Sequence, residues 1–297
     1  MQYKPGFIGL GNMGEPMAEN ILKKFGELVV FNRTRARCEA IAAMGAEVAE
    51  SAGGLAEKCD LIFLSLPGPK EVTAVVAGPD GLLEHSHPGQ IIVDFSTVAP
   101  LDSRNMAEAA EKKGVTYIDV PVSGGGVGAA KGALTLMIGA AEEEIRDAGL
   151  LPYLETVGNT FHYMNGRGHG SAIKIINNYM SFTAQVINGE ALLMADHLGI
   201  SMDDFYKVTT TSSGNNMILG AKMNKVKTGD LKPGFVIDLV MKDLELARQL
   251  CQDCQISNFT LNTGIQFYRL AQQLGYGQCD SSGVIKVIRE LEPAHND

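Results

Sequence analysis

The sequence predicts an α/β fold in two parts: a doubly wound N-terminal domain, residues 1–165, and an all-α C-terminal domain, residues 166–297, joined by one long helix. Three observations carry this expectation. Short apolar strands alternate with helix-length segments through the first half, a G-x-G-x-x-G turn stands at the first strand-to-helix junction, and helical periodicity takes over after Gly166-Arg167-Gly168-His169-Gly170.

The first strand is the apolar run around Pro5-Gly6-Phe7-Ile8, and Glu15 to Phe25 reads as the helix that follows it. Between them, Gly9-Leu10-Gly11-Asn12-Met13-Gly14 has the order of a dinucleotide site of the Rossmann type. Gly9 permits the tight turn, Gly11 lets the backbone come close to a pyrophosphate, and Gly14 lets the helix pack on its strand. The N–H groups from Asn12 to Glu15 and the positive end of the helix dipole suit phosphate.

Strands follow at Leu28 to Phe31, Glu47 to Ala49, Leu61 to Leu66, Ile91 to Phe95 and Thr116 to Val120, with helices at Arg35 to Met44, Ser51 to Lys58 and Asp102 to Lys113 between them. Uninterrupted apolar strands separated by helices mean a parallel sheet covered on both faces. In the second half, Ser171 to His197 is helical without a proline, and helices follow near Met202 to Ser212, Asn216 to Lys227, Ile237 to Cys254, Leu261 to Gln273 and Ser281 to Leu291.

Composition narrows the function. With 297 residues the chain has room for two cores, and its net charge of −9 argues against nucleic acid or anionic membrane as a partner while leaving room for a small anion in a local basic pocket. The five cysteines follow no disulfide framework, no signal peptide or membrane-length apolar stretch is legible, and the expected location is the cytoplasm. Cys251-x-x-Cys254 lies in a helical pattern without a second ligand pair, so no metal site is expected.

At the end of the second strand, where an aspartate usually accepts the ribose hydroxyls, stand Asn32, Arg33 and Thr34. A neutral residue beside cationic and hydroxyl donors favours a 2′-phosphate, so NADP(H) is the expected preference, with NAD(H) possible. Leu66, Pro67 and Thr97 lie at carboxyl ends of strands, where ligands collect in this architecture.

The catalytic candidates lie on the long helix. Lys174, Asn178, Ser181 and Gln185 make a polar stripe at i, i+4, i+7 and i+11 among Ile173, Ile175, Ile176, Tyr179, Met180 and Phe182, a pattern that predicts burial on several sides. Partial burial lowers the pKa of a lysine into the range for proton transfer, so Lys174 is the expected acid/base and Asn178 the residue that orients it or its substrate. Ser123, Gly124 and Gly125, after the strand ending near Val120, supply a hydroxyl and successive N–H groups suited to a carboxylate.

Taken together these motifs resemble the β-hydroxyacid dehydrogenase family, which includes 3-hydroxyisobutyrate dehydrogenase, tartronate semialdehyde reductase and glyoxylate/succinic semialdehyde reductases. The matching stretches are Gly9 to Asn20, Asp119 to Gly132, Gly168 through Lys174 to Asn178, and Lys242-Asp243-Leu244-Glu245-Leu246-Ala247. The resemblance implies hydride transfer between NADP(H) or NAD(H) and a small β-hydroxy acid or semialdehyde, such as 3-hydroxyisobutyrate, tartronate semialdehyde, glyoxylate or succinic semialdehyde. It implies that Ser123, Gly124 and Gly125 hold the substrate carboxylate, that Lys242 approaches the nicotinamide, and that the protein is a homodimer or homotetramer. The alternatives are an imine reductase on the same scaffold, whose relatives generally lack the lysine, and a nucleotide-binding module without catalysis.

Overall fold

The computed structural model describes residues 3–291, and the chain divides after Lys174 into two compact units. The first unit is built on a six-stranded parallel sheet: β1 (Pro5–Ile8), β2 (Val29–Phe31), β3 (Glu47–Val48), β4 (Leu61–Leu64), β5 (Ile91–Asp94) and β6 (Thr116–Asp119). Their order is β3-β2-β1-β4-β5-β6, so the chain starts in the middle, winds to one edge and returns to build the other. The switch falls between β1 and β4, which places the glycine turn at the crevice where ligands bind in open α/β sheets.

Side-chain alternation gives the central strands β1, β4 and β5 two buried faces. Phe7, Phe63 and Phe95 stack on one face, with Phe63 and Phe95 rings 5.6 Å apart, while Ile8, Ile62 and Leu64 enter a separate core on the other. The stretch expected as one helix from Arg35 is a 3-10 turn, Arg35–Cys38, followed by a five-residue helix, Glu39–Ala43. A second sheet of three strands, absent from the sequence expectation, follows β6: β7 (Val122–Ser123) runs antiparallel to β8 (Leu134–Ile138), which pairs in parallel with β9 (Gly158–Tyr163).

The second unit is helical. After the long helix His169–His197, which continues from the first unit, come helices Met202–Thr210, Met217–Thr228, Ile237–Asp253, Phe259–Gln273 and Gly283–Glu290. Ile175, Phe182, Val186, Leu244, Tyr268 and Ile285 belong to one core, and the Tyr268 hydroxyl donates to the Phe182 carbonyl at 3.2 Å. Asp280, fully buried, accepts from Lys222 Nζ at 2.8 Å, from the Gly234 N–H at 3.1 Å and from Ser282. Burial alone would raise its pKa, but the hydrogen bonds from Lys222 and Ser282 outweigh it and hold the carboxyl at about 2. Among the described residues, no helix is long and apolar enough to cross a membrane.

Candidate active site

The glycine turn shows which of its glycines the chain itself requires. Gly9 has a left-handed φ of 98°, and a side chain there would meet the Ser65 carbonyl oxygen at 2.2 Å; one at Gly14 would meet the Gly9 carbonyl at 1.8 Å. A side chain at Gly11 would meet nothing within 4 Å. Position 11 is therefore glycine for no intramolecular reason, as expected where a large group lies against the backbone. The first helix, Gly14–Phe25, has Met13 at its N-cap and no side-chain cap; the Glu15 N–H donates to the Gly11 carbonyl at 3.0 Å, which closes the turn onto the helix start, and the positive end of the helix dipole suits an anion there. Turn and helix fit a dinucleotide pyrophosphate.

Asn32 has a role that the sequence did not disclose. Its Oδ1 accepts the Leu10 N–H at 2.9 Å and its Nδ2 donates to the Thr34 carbonyl at 2.9 Å, so the amide braces the glycine turn against the end of β2. Arg33 and Thr34 are exposed beside it, whereas Arg35 is committed to Glu50, with a 3.1 Å contact from Nη2.

At the ends of β4 and β5, Ser96 Oγ accepts the Leu66 N–H at 2.9 Å, and the Ser96 N–H donates to Asp94 Oδ1 at 2.8 Å. The Tyr117 hydroxyl donates to Asp94 Oδ2 at 2.6 Å. Burial pushes both the Asp94 carboxyl and the Tyr117 hydroxyl above their ordinary pKa values. This chain fixes the backbone that carries Leu66, exposed Pro67 and half-buried Thr97.

Ser123 ends β7, and Gly124 and Gly125 follow with φ of 134° and 63°, turning the chain into the short helix Gly125–Ala130. That helix packs on the first one: Asn20 Nδ2 donates to the Ala129 carbonyl at 2.9 Å, and a side chain at Gly126 would stand 3.4 Å from the Asn12 carbonyl. Ser123, Gly124 and Gly125 thus lie in a loop adjoining the glycine turn.

The long helix carries Lys174, 8% exposed, and one turn later Asn178, 5% exposed. Asn178 Nδ2 donates to Asp243 Oδ2 at 2.6 Å; the other oxygen of this buried carboxylate lies 2.8 Å from Lys242 Nζ. Asp243 went unrecognised as a partner in the sequence, although an acidic residue beside Lys242 at a core-facing position was the available signal. Gln185 turns elsewhere: its Nε2 donates to Ser281 Oγ at 3.2 Å inside the helical unit. The helix is also less enclosed than its composition suggests, since Ile176 and Met180 are exposed.

Comparison with known proteins agrees with this architecture. Residues 4–166 match the NAD binding domain of 6-phosphogluconate dehydrogenase, and residues 168–288 match the NAD-binding domain of NADP-dependent 3-hydroxyisobutyrate dehydrogenase. The chain is 36% identical to 2-(hydroxymethyl)glutarate dehydrogenase of Eubacterium barkeri over 97% of its own length and 95% of that protein. It is 33% identical to the NAD-dependent L-serine dehydrogenase of Pseudomonas aeruginosa, covering 95% and 96% of the two chains. Among solved structures, 3-hydroxyisobutyrate dehydrogenase of Mycobacterium tuberculosis with L-serine superposes with a TM-score of 0.87 at 28% identity, over 97% of this chain and 100% of that one.

These matches define an NAD(P)-dependent dehydrogenase that acts on hydroxyl groups. More particularly, the chain belongs to the β-hydroxyacid dehydrogenase family. The imine reductase and non-catalytic alternatives are not favoured, because the relatives are dehydrogenases of hydroxy acids over nearly the whole chain.

Proposed function

We propose that this enzyme interconverts a small β-hydroxy acid and its semialdehyde or oxo acid, with Lys174 as the acid/base. The observation that carries the reading is a buried lysine followed one helical turn later by a buried asparagine whose amide is held by Asp243. Bound nicotinamide supplies the acceptor or donor of hydride. Lys174 Nζ takes the hydroxyl proton in oxidation and returns it in reduction, and Asn178, its amide oriented by Asp243, positions the substrate. Ser123 with the Gly124 and Gly125 N–H groups anchors the substrate carboxylate, while Lys242 approaches the reacting end.

In this reading Gly9, Leu10, Gly11, Asn12, Met13 and Gly14 hold the pyrophosphate, and Leu66, Pro67 and Thr97 line the nicotinamide side. Residues 1–165 form the cofactor domain, and residues 166–297 serve substrate and assembly. NADP(H) is the preferred cofactor, a reading supported by the neutral Asn32 at the end of β2 and by exposed Arg33 and Thr34 beside it. The substrate set includes 3-hydroxyisobutyrate, tartronate semialdehyde, glyoxylate, succinic semialdehyde and 2-(hydroxymethyl)glutarate.

A cytoplasmic homodimer or homotetramer completes the reading. The long helix supports assembly through exposed Ile176, Met180, Ile187 and Met194, with exposed Leu198 just past its end, a spacing symmetric about Ile187 that suits an antiparallel two-fold contact. Light scattering that returns the mass of one chain would contradict this.

The decisive experiment assays that substrate panel with each cofactor, for the native protein and for Lys174→Ala. Loss of general acid/base catalysis costs roughly 10²–10⁴ in kcat. The variant is expected to lose that much while NADPH affinity stays the same, and near-native turnover would refute the assignment.

A further inference from the structure

We propose that Asp119 is a positioning residue for Lys174: its carboxylate holds the start of the long helix by the main chain and so sets where the lysine stands. The inference rests on the acid/base role proposed for Lys174.

Asp119 ends β6 and is 1% exposed. Both of its carboxylate oxygens are used on the helix start. Oδ1 accepts the Gly168 N–H and Oδ2 accepts the Ser171 N–H, each at 2.8 Å. N–H groups at a helix start have no partner within the helix, and a carboxylate answers both their hydrogen bonding and the positive end of the dipole. Lys174 lies one turn beyond Ser171, so the clamp acts within a single helical turn of the lysine backbone.

The surroundings are shaped to this contact. A side chain at Gly139 would stand 2.1 Å from Asp119 Oδ1, and one at Gly170 would stand 2.3 Å from the Met137 carbonyl, so β8 and the helix start both press on the aspartate without room for a Cβ. Ser103 Oγ and Ser171 Oγ, both buried, lie 2.8 Å apart and add a third tie. Asp119 is also the partner in register of Asp94 on β5. Neighbouring strands thus end in two buried carboxylates: Asp94 holds the backbone at Ser96 and, through Ser96 Oγ, at Leu66, while Asp119 holds the helix of the acid/base.

The test compares Asp119→Asn with Lys174→Ala in the full-length enzyme, reading kcat, its pH profile, and NADPH affinity by fluorescence titration. Asn offers one acceptor where Asp offers two, and a misplacement near 1 Å costs about 10²-fold in rate. We expect kcat to fall by roughly that factor and the pH profile of kcat to move, with NADPH affinity within about threefold of native. A variant that binds NADPH normally and turns over within threefold of native overturns the proposal, as does an equal loss in cofactor affinity and kcat. If Asp119→Asn does not fold, Gly139→Ala, which pushes a methyl against the carboxylate, must give the same split between kcat and affinity, and native kcat there also overturns it. Native turnover in Lys174→Ala removes the acid/base reading and this inference with it. An inactive Lys174→Ala beside an unaffected Asp119→Asn overturns the positioning role alone.

Discussion

Lys174 and Asn178 are four residues apart on one helix, yet the helix is held differently around each. Up to Lys174 the helix belongs to the first unit, and its start is fixed through backbone N–H groups by one carboxylate. From Ile175 onward it belongs to the helical unit, where Phe182 and Val186 enter the apolar core and polar side chains find polar side chains: Asn178 with Asp243, Gln185 with Ser281, and Asn188 with Asn216 at 2.9 and 3.0 Å. The contrast teaches that one helix can be fixed in two ways: at its start through main-chain hydrogen bonds that do not depend on its side chains, and further along through side-chain partners that do.

Three substitutions sharpen or break this contrast. The largest effect is expected at Asp280, the buried carboxylate among Lys222, Gly234 and Ser282. Breaking a buried ion pair on one side costs about 3 kcal/mol, so urea unfolding of Asp280→Asn should show a loss of that order. The pH dependence has a definite sign. A folded pKa of about 2, below the ordinary value of 3.8, contributes stability above pH ~4 that is lost as pH falls towards 2. The variant should lack that acid limb, and an unchanged unfolding midpoint would deny the helical unit its polar anchor.

Next comes Asp243→Ala. A hydrogen bond to a charged group is worth about 1.5–3 kcal/mol, so kcat/KM should fall by roughly 10- to 100-fold with NADPH affinity preserved. A loss confined to cofactor affinity would contradict the assignment of Asp243 to Asn178. The smallest effect is expected at Arg33, which is exposed: Arg33→Ala should lower the ratio of NADPH to NADH efficiency by about fivefold, the scale of one solvent-exposed charge contact. No change in that ratio would move the 2′-phosphate contact away from this residue.

Much of this was legible in the sequence, for physical reasons. Strands covered on both faces must be unbroken apolar runs, so β1, β4 and β5 declared themselves, and a lysine and asparagine one turn apart marked the helix that carries them. The second sheet did not, because β7 has two residues and β8 pairs with a strand that shares no local pattern with it. The partners of three buried carboxylates were harder to read, even where, as at Asp243, the position itself was a signal. Asp119 bonds groups 49 and 52 positions away, Asp243 one 65 away, and Asp94 one 23 away, and in a sequence a buried acid looks like a solvated one. Ile176 and Met180 erred in the other direction, since periodicity reveals that a face is apolar and not what covers it.

The Asp119 clamp grips only amide nitrogens, and this sets how the chain can drift. His169 is exposed, and Ala172 and Ile173 are half-buried, so the letters at these three places can change from one descendant to the next with the lysine still delivered to the same spot. Gly168, with φ of 81°, and Gly170 and Gly139, packed against carbonyl and carboxylate oxygens, have no such latitude. The start of this helix is thus written less in its own side chains than in one distant acid and three positions without a Cβ.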